Sequence, residues 1–113
     1  MILEQKKNQL IEFWKENFDF TDEEIDAFTN VKREDFIAEK IKDYAYEDTP
    51  LPLTRGKTIS QPTTVMIMTS ALEINPGEKI FEVGTGSGYQ AAILAKLTGD
   101  KGRIITTEVV PEL

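Results

Sequence analysis

The residues in this chain best placed to do chemistry are three alternating glycines behind an acid. They stand in Ile80-Phe81-Glu82-Val83-Gly84-Thr85-Gly86-Ser87-Gly88-Tyr89-Gln90, which reads as strand, glycine turn and helix. Glycine carries no Cβ, so such a turn takes positive φ and lets a ligand lie against bare peptide groups. Glu82, at the end of the strand, would face that ligand. Several nucleotide-binding classes share this layout, and spacing separates them. The phosphate loop of the nucleoside triphosphatases needs a Gly-Lys-Ser/Thr run that this turn lacks. The dinucleotide fingerprint wants its third glycine three positions after the second, where Tyr89 stands; here it falls at Gly88, two after Gly86. Acid-Val-Gly-x-Gly-x-Gly therefore suits S-adenosylmethionine better than a pyrophosphate.

Two further residues belong beside the turn. Arg103-Ile104-Ile105-Thr106-Thr107-Glu108 reads as a second strand ending in an acid. An acid about 20 residues past the glycines, at the tip of the neighbouring parallel strand, can accept hydrogen bonds from both ribose hydroxyls. Ser60 lies just before Pro62, which announces a helix; taken alone, a serine there reads as an N-cap or a turn residue.

Composition limits the chemistry. With no His and no Cys, zinc sites, thiolate nucleophiles and imidazole bases are excluded, and no metal is expected. Thirteen basic residues against 20 acidic ones, net charge -7, leave no basic run to neutralise a phosphate backbone, so nucleic acid is not expected as a partner. Met1 to Leu10 is too charged for a signal peptide and no apolar stretch reaches membrane-spanning length, so no membrane partner and a cytoplasmic location are expected. A length of 113 residues with 40% hydrophobic content suits one folding domain with a modest core.

The elements that must position these residues follow from periodicity. Leu3, Leu10, Ile11, Trp14 and Phe18 recur at helical spacing. Thr21-Asp22-Glu23-Glu24 has the capping-box pattern of a second helix running through Phe28, with Phe20 and Ile25 as its staple. Val31 to Phe36 forms a third short helical turn, and Ala45 to Leu53, with two prolines, an extended strap. The helix after Pro62 is expected to be substantially buried through Val65, Met68 and Leu72 on one side and Ile67, Ala71 and Ile74 on the next. Lys79 to Val83 is the first strand, and Tyr89 to Leu97 a helix apolar nearly all round and so expected to be covered on both sides.

These residues resemble the protein-L-isoaspartate (D-aspartate) O-methyltransferases. The likeness rests on Val31-x-Arg33-x-x-Phe36, Ala45-Tyr46-Glu47-Asp48-x-Pro50-Leu51-Pro52, Gly56-x-Thr58-Ile59-Ser60-Gln61-Pro62 and the glycine turn with its flanks. The turn alone would indicate only a class I methyltransferase; Ile-Ser-Gln-Pro at that distance before it is characteristic of this family. Phe81, where the family often has Leu, and Lys32, where it often has Pro, are mild departures. The resemblance implies an α/β fold, the first half of a Rossmann-like class I methyltransferase sheet preceded by N-terminal helices. Residues 1–57 would form the helices and strap, and 58–113 the first part of the S-adenosylmethionine-binding unit. It further implies transfer of a methyl group to the free carboxylate of isoaspartyl residues in damaged proteins. Ser60 matches the family's active-site serine, Glu82, Gly84, Thr85, Gly86, Ser87 and Gly88 the cofactor loop, and Glu108 the ribose-binding acid.

Such chemistry needs no strong base, because an isoaspartyl carboxylate is already ionised at neutral pH. A complete domain of this family continues with further strands and helices. The expectation is therefore the N-terminal part of a methyltransferase, inactive in isolation and needing a complementing C-terminal segment. The competing readings are a non-catalytic cofactor-binding or interaction protein and half of an NAD-type oxidoreductase.

Overall fold

The computed structural model describes residues 2–113. Helix α1 spans Leu3–Asn17 and α2 Asp22–Asn30, followed by 3-10 turns at Arg33–Phe36 and Glu39–Tyr44. Strands β1 (Leu51–Pro52) and β2 (Thr58–Ile59) form a small antiparallel hairpin that pairs Leu51 with Ile59. Then come α3 (Pro62–Ala71), β3 (Lys79–Val83), α4 (Tyr89–Thr98) and β4 (Arg103–Thr107). Strands β3 and β4 pair in parallel, Ile80 opposite Ile104 and Val83 opposite Thr107. Both lie as the apolar runs predict, with Glu108 one residue past the end of β4. Among the described residues no helix is long and apolar enough to cross a membrane.

The capping box of α2 forms as its sequence requires. The Thr21 N–H donates to Glu24 Oε1 at 2.9 Å, and the Glu24 N–H donates to Thr21 Oγ1 at 3.1 Å. Together these satisfy two groups at the helix start that have no partner within the helix.

Trp14 is the centre of the core. Its indole meets the Phe28 ring edge-on at 4.6 Å and the Phe20 ring at 5.7 Å, and its Nε1–H donates to Thr63 Oγ1 at 2.8 Å. One buried cluster joins α1 (Leu10, Ile11, Trp14) to α2 (Ala27, Phe28), to α3 (Val65, Met66) and to α4 (Tyr89, Ile93). Each of the Leu, Ile, Val, Phe and Met side chains among them stabilises the fold by roughly 1.5–3 kcal/mol over leaving it exposed. The apolar stripe of α1 also contains a cation. Lys7 is buried, its Nζ donating to the Thr29 carbonyl at 2.6 Å and lying 5.4 Å from the centre of the Tyr46 ring.

Of the two burial expectations one holds and one needs correction. Helix α4 is covered on both sides, by α2 and by the β3–β4 pair, with Ala95 and Lys96 on an exposed flank between them. Helix α3 turns Val65, Met66 and Thr69 into the core and leaves Ile67, Met68 and Leu72 outside. Its apolar residues occupy more of the circumference than the N-terminal helices can cover, so four of the six predicted contact positions, Ile67, Met68, Ala71 and Leu72, face away. Phe81, Val83 and Ile105 extend this uncovered apolar surface across the sheet.

The return from α4 to β4 is tight at Gly102. A Cβ built there would lie 2.3 Å from Thr98 Cβ and 2.9 Å from the Glu78 carbonyl oxygen, two groups fixed by the helix end and the strand start. Gly102→Ala should therefore lower stability by about 1–3 kcal/mol, the cost of forcing an atom into filled space. Denaturant melts read it: an unchanged midpoint would mean that this loop yields freely.

Candidate functional site

Parallel pairing places the glycine turn. Because Val83 sits opposite Thr107, the next two amides reach the same acceptor, Gly84 N–H and Thr85 N–H donating to the Thr107 carbonyl at 2.8 and 2.7 Å. Gly84, Gly86 and Gly88 then take φ of +85°, +58° and +87°. Beside Gly84 nothing lies within 4 Å of a built Cβ, so backbone conformation, and not crowding, demands glycine there. Gly88 donates its N–H to the Thr85 carbonyl at 3.0 Å and forms the N-cap of α4.

The acids bracket the turn. Thr106 Oγ1 donates to Glu82 Oε1 at 2.7 Å and meets the Thr85 hydroxyl, so Glu82 is tied to the neighbouring strand. Glu108 Oε1 accepts from the Gly86 N–H at 2.7 Å, while its Oε2 accepts from the Val109 and Val110 N–H groups at 3.0 Å. The Gly86 N–H, followed by that of Val110, holds the Glu108 carboxyl below its ordinary pKa; its slight burial opposes this, and Val109 and Lys57 add to it.

Ser60 approaches from the other side. It follows β2 and is exposed, and the N-cap of α3 is Gln61, which makes no side-chain capping bond. The capping role expected of a serine here falls to Asp48, whose Oδ1 accepts from the Thr63 N–H at 2.9 Å and whose Oδ2 accepts from Thr63 Oγ1 at 2.6 Å. Thr63 Oγ1 in turn accepts from the Trp14 indole, so the first turn of α3 is anchored directly to the core.

Between these walls lies a cleft of about 400 Å³. It gathers Ser60 with Glu82, Gly84, Thr85, Gly86 and Ser87, over a floor that includes Met68, Phe81 and Val83. Gly88 and Glu108 are not on its wall: Gly88 starts α4 and Glu108 supports Gly86 from the sheet side. Sequence reasoning missed three supports, namely Asp48, Thr106 and the bond from Gln90 Nε2 to Thr69 Oγ1 at 2.7 Å that ties α4 to α3. Asp48 lay inside a quoted motif, but its partner is 15 residues away and no local pattern links them.

Comparison with known proteins places the whole chain. The family model described as protein-L-isoaspartate(D-aspartate) O-methyltransferase (PCMT) matches residues 4–113. A protein-L-isoaspartate O-methyltransferase of Ignicoccus hospitalis is 46% identical over 112 residues, 98% of this chain and 53% of that protein. One from Methanopyrus kandleri is 51% identical over 88 residues, 78% of this chain and 39% of that protein. Among solved structures, a Plasmodium falciparum β-aspartate methyltransferase (PCMT) in complex with S-adenosyl-L-homocysteine superposes with a TM-score of 0.81 at 26% identity, covering 96% of this chain and 50% of that one. The chain thus spans about half the length of the curated relatives it matches.

The lowered Glu108 pKa has a definite sign. A carboxyl whose folded pKa lies below its unfolded value stabilises the turn fully above that unfolded value, and the contribution is lost as pH falls through the folded one. The Gly86 amide proton shift should therefore titrate with a midpoint below about 4.3, the ordinary glutamate value. Glu108→Gln should abolish the transition, and a wild-type midpoint at or above the ordinary value would contradict the bond.

Proposed function

The chain belongs to the protein-L-isoaspartate(D-aspartate) O-methyltransferase family, its N-terminal helices and partial parallel sheet being the first part of that Rossmann-like fold, and we propose from this premise that the protein methylates isoaspartyl carboxylates with S-adenosylmethionine. One observation carries the proposal: Ser60 and the glycine turn, 22 positions apart at their nearest acid, Glu82, line one cleft.

The residues present fit the cofactor. Three left-handed glycines make a cradle with no side chain on its inner surface at Gly84, and Thr85 and Ser87 add hydroxyls along it. Glu108 has three of its roughly four acceptor positions in use, leaving one for a ribose hydroxyl. S-adenosylmethionine, when bound there, would supply a sulfonium methyl group with a thioether as its leaving group. The protein's part is positioning: Ser60 donates a hydrogen bond to the substrate carboxylate and turns its free oxygen toward the cradle. A composition without His or Cys suits this reaction, since the nucleophile arrives already deprotonated. Ser60 is also free of the capping role, which Asp48 performs, and this supports its availability to substrate.

Calorimetric titration of the protein with S-adenosylhomocysteine and with NAD separates the readings: binding of the first alone is expected. Preference for NAD would favour the oxidoreductase, and binding without methyl transfer, once the complementing C-terminal segment is supplied, an interaction protein. Glu108→Ala should weaken S-adenosylhomocysteine roughly ten- to hundredfold, as loss of a charged acceptor does.

Ser60→Ala tests the other wall. A positioning hydroxyl predicts lower turnover on an isoaspartyl peptide with the melting temperature kept. A lost cap would instead cost about 1 kcal/mol of stability with turnover retained.

A further inference from the structure

Arg33 takes no part in the chemistry above, yet it is among the most enclosed side chains of the molecule, with 0% relative exposure. Its backbone N–H donates to the Tyr46 hydroxyl at 3.2 Å, and its Nε donates to the Ala45 carbonyl at 2.6 Å. Nη1 and Nη2 have no hydrogen-bond partner among the described residues, and neither has the Tyr89 hydroxyl. The guanidinium carbon lies 5.2 Å from the centre of the Tyr89 ring. Burial lowers the Arg33 pKa, and Tyr89, Tyr46 and Asp48 partly offset the shift; the group stays charged, because arginine begins far above physiological pH. A buried charge with four of its five side-chain donors unused is costly, and a hydrophobic side chain of similar volume would often stabilise a core better. What Arg33 supplies must therefore be geometry.

Its two contacts lead to the two walls of the cleft. Ala45 is three residues before Asp48, whose carboxylate fixes the first turn of α3 immediately after Ser60. Tyr89 follows Gly88 directly and opens α4. Phe36, from the same 3-10 turn as Arg33, packs edge-on to Tyr89 at 5.5 Å and lies 3.9 Å from a Cβ built on Gly88. We propose that Arg33 is a positioning residue that sets the separation of the Ser60 wall from the glycine turn. Its Nε acts through Ala45 and Asp48, and its guanidinium face through Tyr89. This rests on the reading of the cleft as the methyl-transfer site. A planar cation suits the task, because one edge can hold a carbonyl while the face lies against a ring.

The test uses the full chain and two variants. Arg33→Met keeps the volume and removes the charge; Arg33→Lys keeps the charge but cannot grip the carbonyl and cover the ring together. Hydrogen exchange is followed at the Thr63 N–H, which reports the Ser60 wall, and at the Gly88 N–H, which reports the turn, with the Val31 N–H bonded to Ala27 as an internal reference. In Arg33→Met both reporters should exchange at least about tenfold faster relative to Val31, with S-adenosylhomocysteine affinity falling by a similar factor. Arg33→Lys should still speed Gly88. The proposal is overturned if the reporters stay within about twofold of wild type, or if they rise only in step with Val31, as a purely core-filling arginine would give. Should Arg33→Met fail to fold, the Gly88 rate in Arg33→Lys decides alone. If wild type does not bind S-adenosylhomocysteine even with the complementing C-terminal segment supplied, the methyltransferase reading falls while the exchange ratios still decide the role of Arg33.

Discussion

The Thr107 carbonyl oxygen, accepting from both Gly84 and Thr85, is the contact on which the site depends. It sits at the end of β4, and its position is set by the parallel register of the two strands. A one-residue slip would carry it away from both amides and would also move Glu108 off Gly86. Left-handed glycine conformations are accessible in an unfolded chain but are not fixed there. Three of them in alternation become a defined cradle only because neighbouring amides are tied to one acceptor and one carboxylate.

Much of this was legible locally. The bounds of β3, the Pro62 start of α3, the capping box at Thr21 and the positive φ at the alternating glycines all follow from preferences that act within a few residues. The resemblance in the Ile59-Ser60-Gln61-Pro62 stretch named the serine, and the structure brings it to the same cleft as Glu82. What stayed hidden is tertiary. Nothing in the order of residues says that Asp48 caps Thr63, that Trp14 donates to the same hydroxyl, or that Lys7 belongs in an apolar stripe because Thr29 and Tyr46 wait for it. The burial of α3 was overestimated for a related reason. Hydrophobic periodicity reports which faces could be covered, whereas coverage depends on the elements available to lie on them.

The polar interior of the N-terminal half is unusual in being built from shared acceptors. Thr63 Oγ1 receives the indole proton of Trp14 and gives its own proton to Asp48; the Tyr46 hydroxyl receives the Arg33 N–H and gives its proton to Glu34 at 2.6 Å. Each of these two hydroxyls is used in both senses, in contrast to the Arg33 Nη groups and the Tyr89 hydroxyl beside them. Burial above all, reinforced by the Glu34 carboxylate, pushes the Tyr46 phenol far above its ordinary pKa, which favours the protonated donor form. These chains fix the direction of side chains that the aromatic packing alone would leave free to rotate.

Stability and reactivity are consequently supported from different places. The aromatic cluster around Trp14 and Phe28 lies with α1 and α2, while the strands bearing Glu82 and Glu108 leave Phe81, Val83 and Ile105 in solvent. The glycine turn draws its rigidity from hydrogen bonds to β4, and the Ser60 segment draws its own from Asp48 and the core. The methyl transfer proposed above relies on alignment, with no proton to move at the nucleophile, and would need two such independently supported walls to keep one separation. The elements able to supply that constraint are those that touch both, and in this chain they run through α4, by way of Gln90 to Thr69 on one flank and of Tyr89 to Arg33 on the other.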